Sequence, residues 1–445
     1  MTYFNKLLIS NVILSLFLLA GCSSDSSTSN SSNYALGTVS KLGSVYVNGE
    51  RYDTSSASIT VDGVNATDSE VLNRPVVVSS SSTNVATSVK AETAVKGTVD
   101  SVNSATSSWV IMGQTVRLDD GGTLSGTPIA GDLVEVSGLV KPGGIIVATI
   151  VEEKNALTEY KIKGYISSVN TSNSTFVIGG KTINYASANI SDLGGNPAVD
   201  MLVEVKADAD ASPLIATVVE TDDIGVNDAT HVEVEGYILD ITGSNPNFTF
   251  TVSGVAVSTN SNTTFETGNS SYLANNVKVE VEGSLSGGTL TASKVSLRDS
   301  VRVEGDITGL SGNNFNITNM TGITFTVDAN TEYNSSNDQL SDFANGTHVR
   351  LRGVPTGATS VLITRLDERS ADTAFYLRGP AETDNDTDSI TVLGEVINIS
   401  TGFTYEDMDG GAIADDATFL SQVSVGTPVK ISGDSGTYDT IELED

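Results

Sequence analysis

Cysteine and histidine are nearly absent from this sequence, which has one cysteine and two histidines among 445 residues. A lone cysteine forms no disulfide within the chain, and zinc sites need clustered cysteine or histidine. Neither His231 nor His348 has a serine or cysteine partner that the sequence supports, so nucleophilic hydrolysis is not expected. No glycine-rich loop leads into a helix, which argues against a nucleotide phosphate site. These absences predict a non-catalytic protein with no cofactor.

Positive charge is also scarce in this chain. Lysine and arginine number 23 against 55 aspartate and glutamate residues, which gives a net charge of −32. A field of this sign repels nucleic acid, so no nucleic-acid partner is expected. The negative charge favours divalent cations or a basic protein as partners.

The N-terminus carries a short apolar run over residues 7–20 behind the positive charge of Lys6. A membrane-spanning helix needs roughly 20 residues, so this segment is read as a secretory signal. Its end, Leu19-Ala20-Gly21-Cys22, resembles the lipobox of bacterial lipoproteins. That resemblance implies cleavage before Cys22, a diacylglyceryl thioether on its sulfur and an acyl chain such as palmitate on the new amino terminus. An ordinary signal peptide with an incidental cysteine is the alternative.

The residue after the cysteine bears on the destination of the protein. Ser23 stands there in place of aspartate, and the lipoprotein resemblance then implies the outer membrane of a bacterial cell envelope. Residues 22–33 are almost all serine, threonine, asparagine and aspartate, and they predict a disordered tether. The membrane is therefore an expected partner, through lipid on Cys22. Whether the chain faces the periplasm or the outside stays open.

Composition after the tether favours an all-β protein with many turns. Glycine is abundant at 42 residues, and long helix-forming stretches are absent. Two markers recur with the same period of about 70 residues, which indicates an internal repeat. One marker is a short quartet, at residues 86–89, 148–151, 216–219, 292–295 and 363–366. The other is a glycine early in each copy: Gly37, Gly97, Gly164, Gly236, Gly305 and Gly379.

These markers divide the chain into a signal peptide, a tether and six repeats. The signal covers 1–21, the tether 22–33, and repeats 1 to 6 cover 34–92, 93–156, 157–228, 229–299, 300–371 and 372–445. The sequence pattern of repeat 2 predicts five strands. In repeat 4, the apolar phase slips between Ala292 and Val295, which predicts a β-bulge in the fifth strand. Five strands with a long third connection predict a tandem array of about six small OB-like barrels.

Three phrases of repeat 2 carry a family resemblance: residues 95–99, 131–138 and 147–150. They resemble an exported bacterial repeat family of unknown function with OB-like modules. The resemblance implies a fold and an envelope address, and no activity. Because a lone module of about 70 residues has a marginal core, neighbouring barrels are expected to pack side by side in a semi-rigid rod.

The best metal candidate lies in repeat 6, where Asp384, Asp386, Asp388 and Glu395 have the spacing of a calcium loop. The repeat phase instead places Glu395 at the next hairpin tip, beyond the reach of the aspartates. A partial site built on the three aspartates stays open. A second acidic loop is expected to be a solvated turn, and it contains Asp407, Asp409, Asp415 and Asp416.

Two classes of function compete for this chain. The favoured one is a non-catalytic, lipid-anchored envelope rod that binds a protein or glycan or spaces other components. The alternatives are a carboxylate-based enzyme and a calcium-dependent adhesin or carbohydrate-binding protein. Aromatic side chains exposed in register would support glycan binding, and Phe176, Phe250 and Phe325 do recur, although core packing explains them equally well. Trp109 is expected to be a half-buried sheet residue.

Overall fold

The computed structural model describes most of the chain after the predicted tether. The described residues are 33–82, 84–103, 108–222, 228–265, 270, 273–298, 300–329, 331–333, 339–382, 388–400, 402–407, 411–424 and 426–444. The predicted signal, Cys22, Asp384, Asp386 and Asp409 lie outside these residues.

Each repeat contributes its own set of strands. Repeat 1 has β1 (Asn33–Lys41), β2 (Val45–Val47), β3 (Glu50–Tyr52), β4 (Ser58–Val61), β5 (Val64–Asn65), β6 (Pro75–Ser82) and β7 (Val85–Ala91). Repeat 2 has β8 (Val95–Asn103), β9 (Ser108–Ile111), β10 (Gln114–Ser125), β11 (Leu133–Lys141) and β12 (Ile145–Lys154). Repeat 3 has β13 (Tyr160–Asn170), β14 (Thr175–Ile178), β15 (Lys181–Asn184), β16 (Leu202–Ala207) and β17 (Leu214–Thr221).

The later repeats add short strands to the same plan. Repeat 4 has β18 (Ala229–Ser244), β19 (Asn247–Val252), β20 (Val255–Ser258), β21 (Thr264–Phe265), β22 (Lys278–Ser286) and β23 (Thr289–Leu297). Repeat 5 has β24 (Val301–Ser311), β25 (Asn314–Ile317), β26 (Met320–Thr326), β27 (Glu332–Tyr333), β28 (His348–Gly357) and β29 (Ser360–Glu368). Repeat 6 has β30 (Ala374–Pro380), β31 (Ser389–Val392), β32 (Glu395–Asn398), β33 (Thr404–Glu406), β34 (Ala412–Ile413), β35 (Pro428–Asp434) and β36 (Thr437–Leu443).

Helices are short throughout the described part of the chain. They are α1 (Asp68–Val71) and α2 (Asp416–Leu420), with 3₁₀ turns at Ser191–Leu193 and Leu340–Asp342. The last of these lies in the long third connection of repeat 5, between β27 and β28. None of the described helices has the length and apolar character needed to cross a membrane.

Repeats 2 to 5 each close into a five-stranded barrel. In repeat 2, β8 pairs with β9 and β11, β9 with β10, and β11 with β12, all antiparallel, and the parallel pair β10–β12 closes the ring. Repeats 3, 4 and 5 have the same strand order. This topology confirms the prediction of several OB-like barrels in tandem.

A bulge in the last strand pair recurs in all six repeats. One residue of the last strand stands unpaired between two ladder positions, and in repeats 1 to 5 it is the second residue of the recurring quartet. These extra residues are Thr87, Thr149, Thr217, Ser293, Thr364 and Asp439. The bulge predicted from the phase slip in repeat 4 is confirmed. Repeat 6, which has no clear quartet, has the bulge nonetheless.

The early glycine of each repeat lets the second strand cross closely over the first. A Cβ on Gly164 would lie 2.3 Å from Ile178 Cγ2, and a Cβ on Gly97 would lie 2.2 Å from Met112 Sδ. Contacts this short are forbidden, so the first strand has no side chain where the hairpin packs on it. The recurring glycine is thus a consequence of barrel closure.

The barrels join in pairs through their first strands. β1 pairs in parallel with β18, β8 pairs antiparallel with β13, and β24 pairs antiparallel with β30. Repeat 1 is therefore joined to repeat 4, repeat 2 to repeat 3, and repeat 5 to repeat 6. Within a barrel, the second strand pairs only with the C-terminal half of the first strand. The N-terminal half keeps a free edge, which a second repeat covers.

This pairing corrects the expectation of a rod whose barrels contact only their neighbours along the chain. Repeats 1 and 4 share a sheet although two repeats separate them in sequence, and residues 32–445 form one compact unit. The apolar cores are shared at two of the three joints, while repeats 1 and 4 have separate apolar clusters. One apolar cluster runs through repeats 2 and 3, and another through repeats 5 and 6. Fusing two small barrels enlarges a core that would be marginal alone.

Candidate binding cavity at the junction of four repeats

The aspartate loop of repeat 6 can be followed only in part. Asp388 precedes β31, while Glu395 begins β32 after the turn Leu393–Gly394. The β31–β32 register pairs Ser389 with Asn398 and Val392 with Glu395, so Asp388 and Glu395 lie at opposite ends of the hairpin. This agrees with the separation expected from the repeat phase. No group of three or more histidine, cysteine, aspartate or glutamate side chains among the described residues is arranged to hold a metal ion.

The remaining acidic loop of repeat 6 is tied to its own backbone where it is described. Asp415 accepts a hydrogen bond from the Thr418 amide at 2.8 Å and caps α2, and Asp407 accepts one from the Gly411 amide at 2.7 Å. These hydrogen bonds account for both carboxylates as turn and cap residues.

The aromatic candidates lie in the barrel cores. Trp109 is 5% exposed, and its Nε1 donates a hydrogen bond to the Pro128 carbonyl at 3.3 Å. Phe176, Phe250 and Phe325 are all buried. Core packing therefore explains these side chains, and none of the four offers a stacking surface for a glycan.

The two histidines differ in burial. His231 is partly exposed on β18 and lies 3.0 Å from Glu233, whose hydrogen bond raises the pKa of the imidazole. His348 begins β28 and is buried, with Nδ1 2.8 Å from Asp306 and Nε2 3.4 Å from Glu304. A cavity of about 290 Å³ beside His348 is also lined by Ser435. The Ser435 hydroxyl donates to Asp434 at 3.0 Å, so this serine is not paired with the imidazole as an activated nucleophile would be.

A second cavity, of about 80 Å³, lies where repeats 1, 2, 4 and 5 meet. We call it the junction cavity. Its wall is formed by Thr38, Ser40, Asn48, Asn73, Asp119, Gly122, Leu139, Val147, Thr149, Glu235, Tyr237, Lys278, Arg298, Glu332, Arg352, Thr364 and Arg365. A water occupies roughly 10–15 Å³ by this measure, so the cavity has room for about five to eight waters.

Ion pairs around the junction cavity neutralise its cationic side chains and hold repeats together. Asp119 of repeat 2 lies 2.8 Å from Arg352 and 3.2 Å from Arg302, both of repeat 5. Lys278 lies 3.1 Å from Glu235, within repeat 4.

Two further arginines at the cavity pair with carboxylates of their own repeats. Arg365 lies 3.0 Å from Asp367, and Arg298 forms a close pair with the buried Glu280. Each cation of the wall therefore has a carboxylate partner.

Five residues of the cavity wall have a buried polar atom without a hydrogen-bond partner: Asn48, Asp119, Glu235, Arg298 and Thr364. Thr364 is 7% exposed and its hydroxyl has no hydrogen-bond partner, and the buried Nε of Arg298 has none either. Glu332 has a long ion pair, 4.0 Å from Arg365, and its burial raises the pKa of its carboxyl group. Buried polar groups without partners are uncommon and call for an explanation.

The repeat makes Thr364 stand out. The equivalent bulge residues of repeats 1 to 4 each donate their hydroxyl to the carbonyl of the facing strand, at 3.0 to 3.3 Å. Those donors are Thr87, Thr149, Thr217 and Ser293. The Thr364 hydroxyl lacks this bond. The departure from the pattern occurs at a bulge residue that lines the junction cavity.

The sequence contains a signal for this site that its repeats and motifs do not reveal. Seven of the ten arginines of this strongly acidic chain lie between Arg298 and Arg378. Two of these arginines, Arg302 and Arg352, pair with Asp119 of repeat 2, so the imbalance marks repeat 5 as a place where another repeat docks. Neither Thr364 nor Glu332 could be recognised by residue type alone.

A family model described as Domain of unknown function (DUF5666) matches the chain over residues 96–152, 163–220, 235–296 and 304–365. Together these segments cover more than half of the chain, and they fall in repeats 2 to 5. Each segment begins within the first strand of a barrel and ends within its last long strand, so one family unit corresponds to one barrel. No curated protein matches the chain.

Proposed function

The chain belongs to the DUF5666 family of domains of unknown function, and from this premise we propose that it is a non-catalytic binding protein of the bacterial cell envelope. In this proposal, lipid on Cys22 attaches it to the outer membrane and the tether holds the fused barrels away from the bilayer. The partner is an envelope protein or glycan. The enzyme alternative has no supporting arrangement among the described residues.

The observation that supports a binding role is the way the repeats converge. Side chains of four separate barrels enclose a polar cavity whose cations are neutralised by carboxylates. Such a wall offers hydrogen bonds and charge neutrality, which is the chemistry of recognition.

Attachment is tested by fractionating cells that express Cys22→Ala. The expected result is loss of the protein from the membrane fraction, because no thiol remains to take the lipid and each buried methylene contributes about 0.8 kcal/mol to anchoring. Ser23→Asp is the matched control. It keeps the lipid site, and the lipoprotein resemblance implies that it moves the chain from the outer to the inner membrane. Retention of Cys22→Ala in membranes after a high-salt wash would refute the anchor.

A further inference from the structure

We propose that the open edge of β32, in repeat 6, binds an extended basic segment of a partner protein as an added strand. The inference rests on the proposed binding role, and it names the surface and the chemistry of the partner.

The sixth barrel stays open at a place where the other five close. In repeats 2 to 5 the third strand pairs in parallel with the beginning of the last strand. Repeat 1 closes there through the bridge between Asp53 and Val85. In repeat 6 the third strand is β32, and among the described residues it pairs with β31 alone. The beginning of β36, residues 437–439, pairs only with β35. A strand edge is therefore left on each side of the opening.

The ladder of the β31–β32 hairpin determines which backbone groups point to the opening. The Ile399 amide donates to the Asp388 carbonyl at 2.9 Å, and alternate residues of a strand face the same neighbour, so Ile397 also faces β31. The N–H and C=O groups of Val396 and Asn398 therefore point to the open edge. Since β32 has four residues, it offers this edge over about 13 Å, enough for a short extended segment.

The open edge is accessible from solvent. Val396 is 68% exposed, and Asn398 is exposed as well. Across the opening, Thr437 and Asp439 of β36 are also exposed. Lysine and proline are the residues that commonly protect a strand edge, and β32 contains neither. An exposed edge of this kind is a template for strand addition.

Charge selects the partner of this edge. Residues 372–445 contain 16 carboxylate side chains and two cations, whereas repeat 5 contains eight carboxylates and five arginines. Both cations of repeat 6 are paired within the repeat. Arg378 lies 3.0 Å from Glu444, and Lys430 lies 3.1 Å from Glu442. An acidic segment would therefore be repelled, and a segment with lysine or arginine would be attracted.

Some of these carboxylates belong to the strands around the opening. Glu395 lies in β32, Glu406 in β33 and Asp439 in β36. A strand added to β32 lies on the side that faces β36, so its lysine side chains come close to this group. The backbone groups of the edge supply the hydrogen bonds, and the carboxylates favour a basic sequence.

The test uses the purified full-length chain and a labelled peptide of alternating valine and lysine, followed by fluorescence anisotropy. Saturable binding is expected in dilute salt, and affinity should fall about tenfold or more in 0.5 M NaCl, because salt screens the charges. A peptide of alternating valine and glutamate should not bind. The lysine peptide with alternate backbone amides methylated should bind about tenfold more weakly, because it lacks the N–H donors of one edge. This last peptide tests the backbone pairing without altering the protein.

Val396→Pro tests the same pairing from the side of the protein. It removes the N–H that points to the open edge and leaves the ladder with β31 intact, so the circular dichroism and melting temperature should change little. Binding of the lysine peptide should weaken about tenfold or more. Val396→Thr is the matched control, because it keeps the N–H and the β-branched shape, and it should bind like the unaltered chain.

Three results would overturn the inference. The first is the absence of saturable binding by the lysine peptide. The second is equal affinity of Val396→Pro and Val396→Thr, which would mean diffuse attraction to an acidic surface. The third is a dimer in sedimentation that Val396→Pro dissociates, which would mean that a second copy occupies the edge. None of these would alter the Cys22→Ala fractionation, so failure of this partner and failure of the envelope anchor can be told apart.

Discussion

Asp62 joins repeat 1 to the sheet shared by repeats 2 and 3. It lies in the turn between β4 and β5, and its carboxylate is 3.1 Å from both Lys96 Nζ and Lys161 Nζ. The Thr93 amide donates to it at 3.0 Å. Asp62 is 13% exposed at its side chain and Lys161 only 3%. The carboxylate thus compensates a buried ammonium that belongs to another barrel.

The effect on stability can be worked out from the pKa. Burial alone would raise the pKa of Asp62, but Lys161, the Thr93 amide and Lys96 together lower it from 3.8 to about 2. A difference of this size corresponds to about 2 kcal/mol in the free energy of unfolding. Because the folded pKa is lowered, this stabilisation is complete above about pH 4 and is lost as the pH falls towards 2. About half of it is lost by pH 3.

We therefore predict that Asp62→Asn destabilises the chain by about 2 kcal/mol at pH 7 and by about half as much at pH 3. The assay is urea unfolding followed by circular dichroism at pH 7, 4.5 and 3. Asp240→Asn is the control, because Asp240 is exposed and has the same left-handed backbone conformation, with φ of 55° against 49° for Asp62. It should have little effect at any pH.

Two outcomes would refute the reasoning about Asp62. If Asp62→Asn lowers the free energy of unfolding by the same amount at pH 7 and pH 3, the loss comes from packing and not from the charge of the carboxylate. If Asp62→Asn is as stable as the unaltered chain at pH 7, the ion pairs that join repeat 1 to repeats 2 and 3 contribute nothing to folding.

Two further predictions concern the barrel and a surface histidine. Gly164→Ala should destabilise the chain by about 1–3 kcal/mol in urea unfolding, because the new Cβ would lie 2.3 Å from Ile178 Cγ2. Gly195→Ala is the control, since a Cβ at that position meets open space, and it should have almost no effect. His231→Gln should lower stability at pH 5.5 and leave it unchanged at pH 8.5. The Glu233 hydrogen bond raises the pKa of His231, so its stabilisation is present below the unfolded pKa and disappears as the pH rises through the folded value. A loss equal at both pH values would contradict this assignment.

Much of the barrel could be predicted because its signals are local. Val277, Val279 and Val281 alternate with charged residues, a pattern typical of a strand with one buried face, and β22 lies there. The phase slip after Ala292 indicated the bulge at Ser293, since a one-residue shift of period 2 has no other simple cause in a strand.

The junction cavity could not be predicted in the same way. Thr364 looks like Thr149 and Thr217 in sequence, and only the loss of its bond to the facing carbonyl distinguishes it. Glu332 and Arg298 belong to a chain rich in charged pairs, where their residue types carry little information.

Sequence alone was therefore sufficient for the repeat, its strands, its bulge and its early glycine, because each follows from sterics and burial within about 70 residues. The sequence alone does not predict which barrels join each other. Six first strands offer similar free edges, and the pairing of β1 with β18 joins residues nearly 200 positions apart in the sequence. The ion pair of Asp119 with Arg352 spans more than 200 positions. Contacts of that range leave no periodic trace in a sequence, so the cavity they enclose exists only in the folded chain.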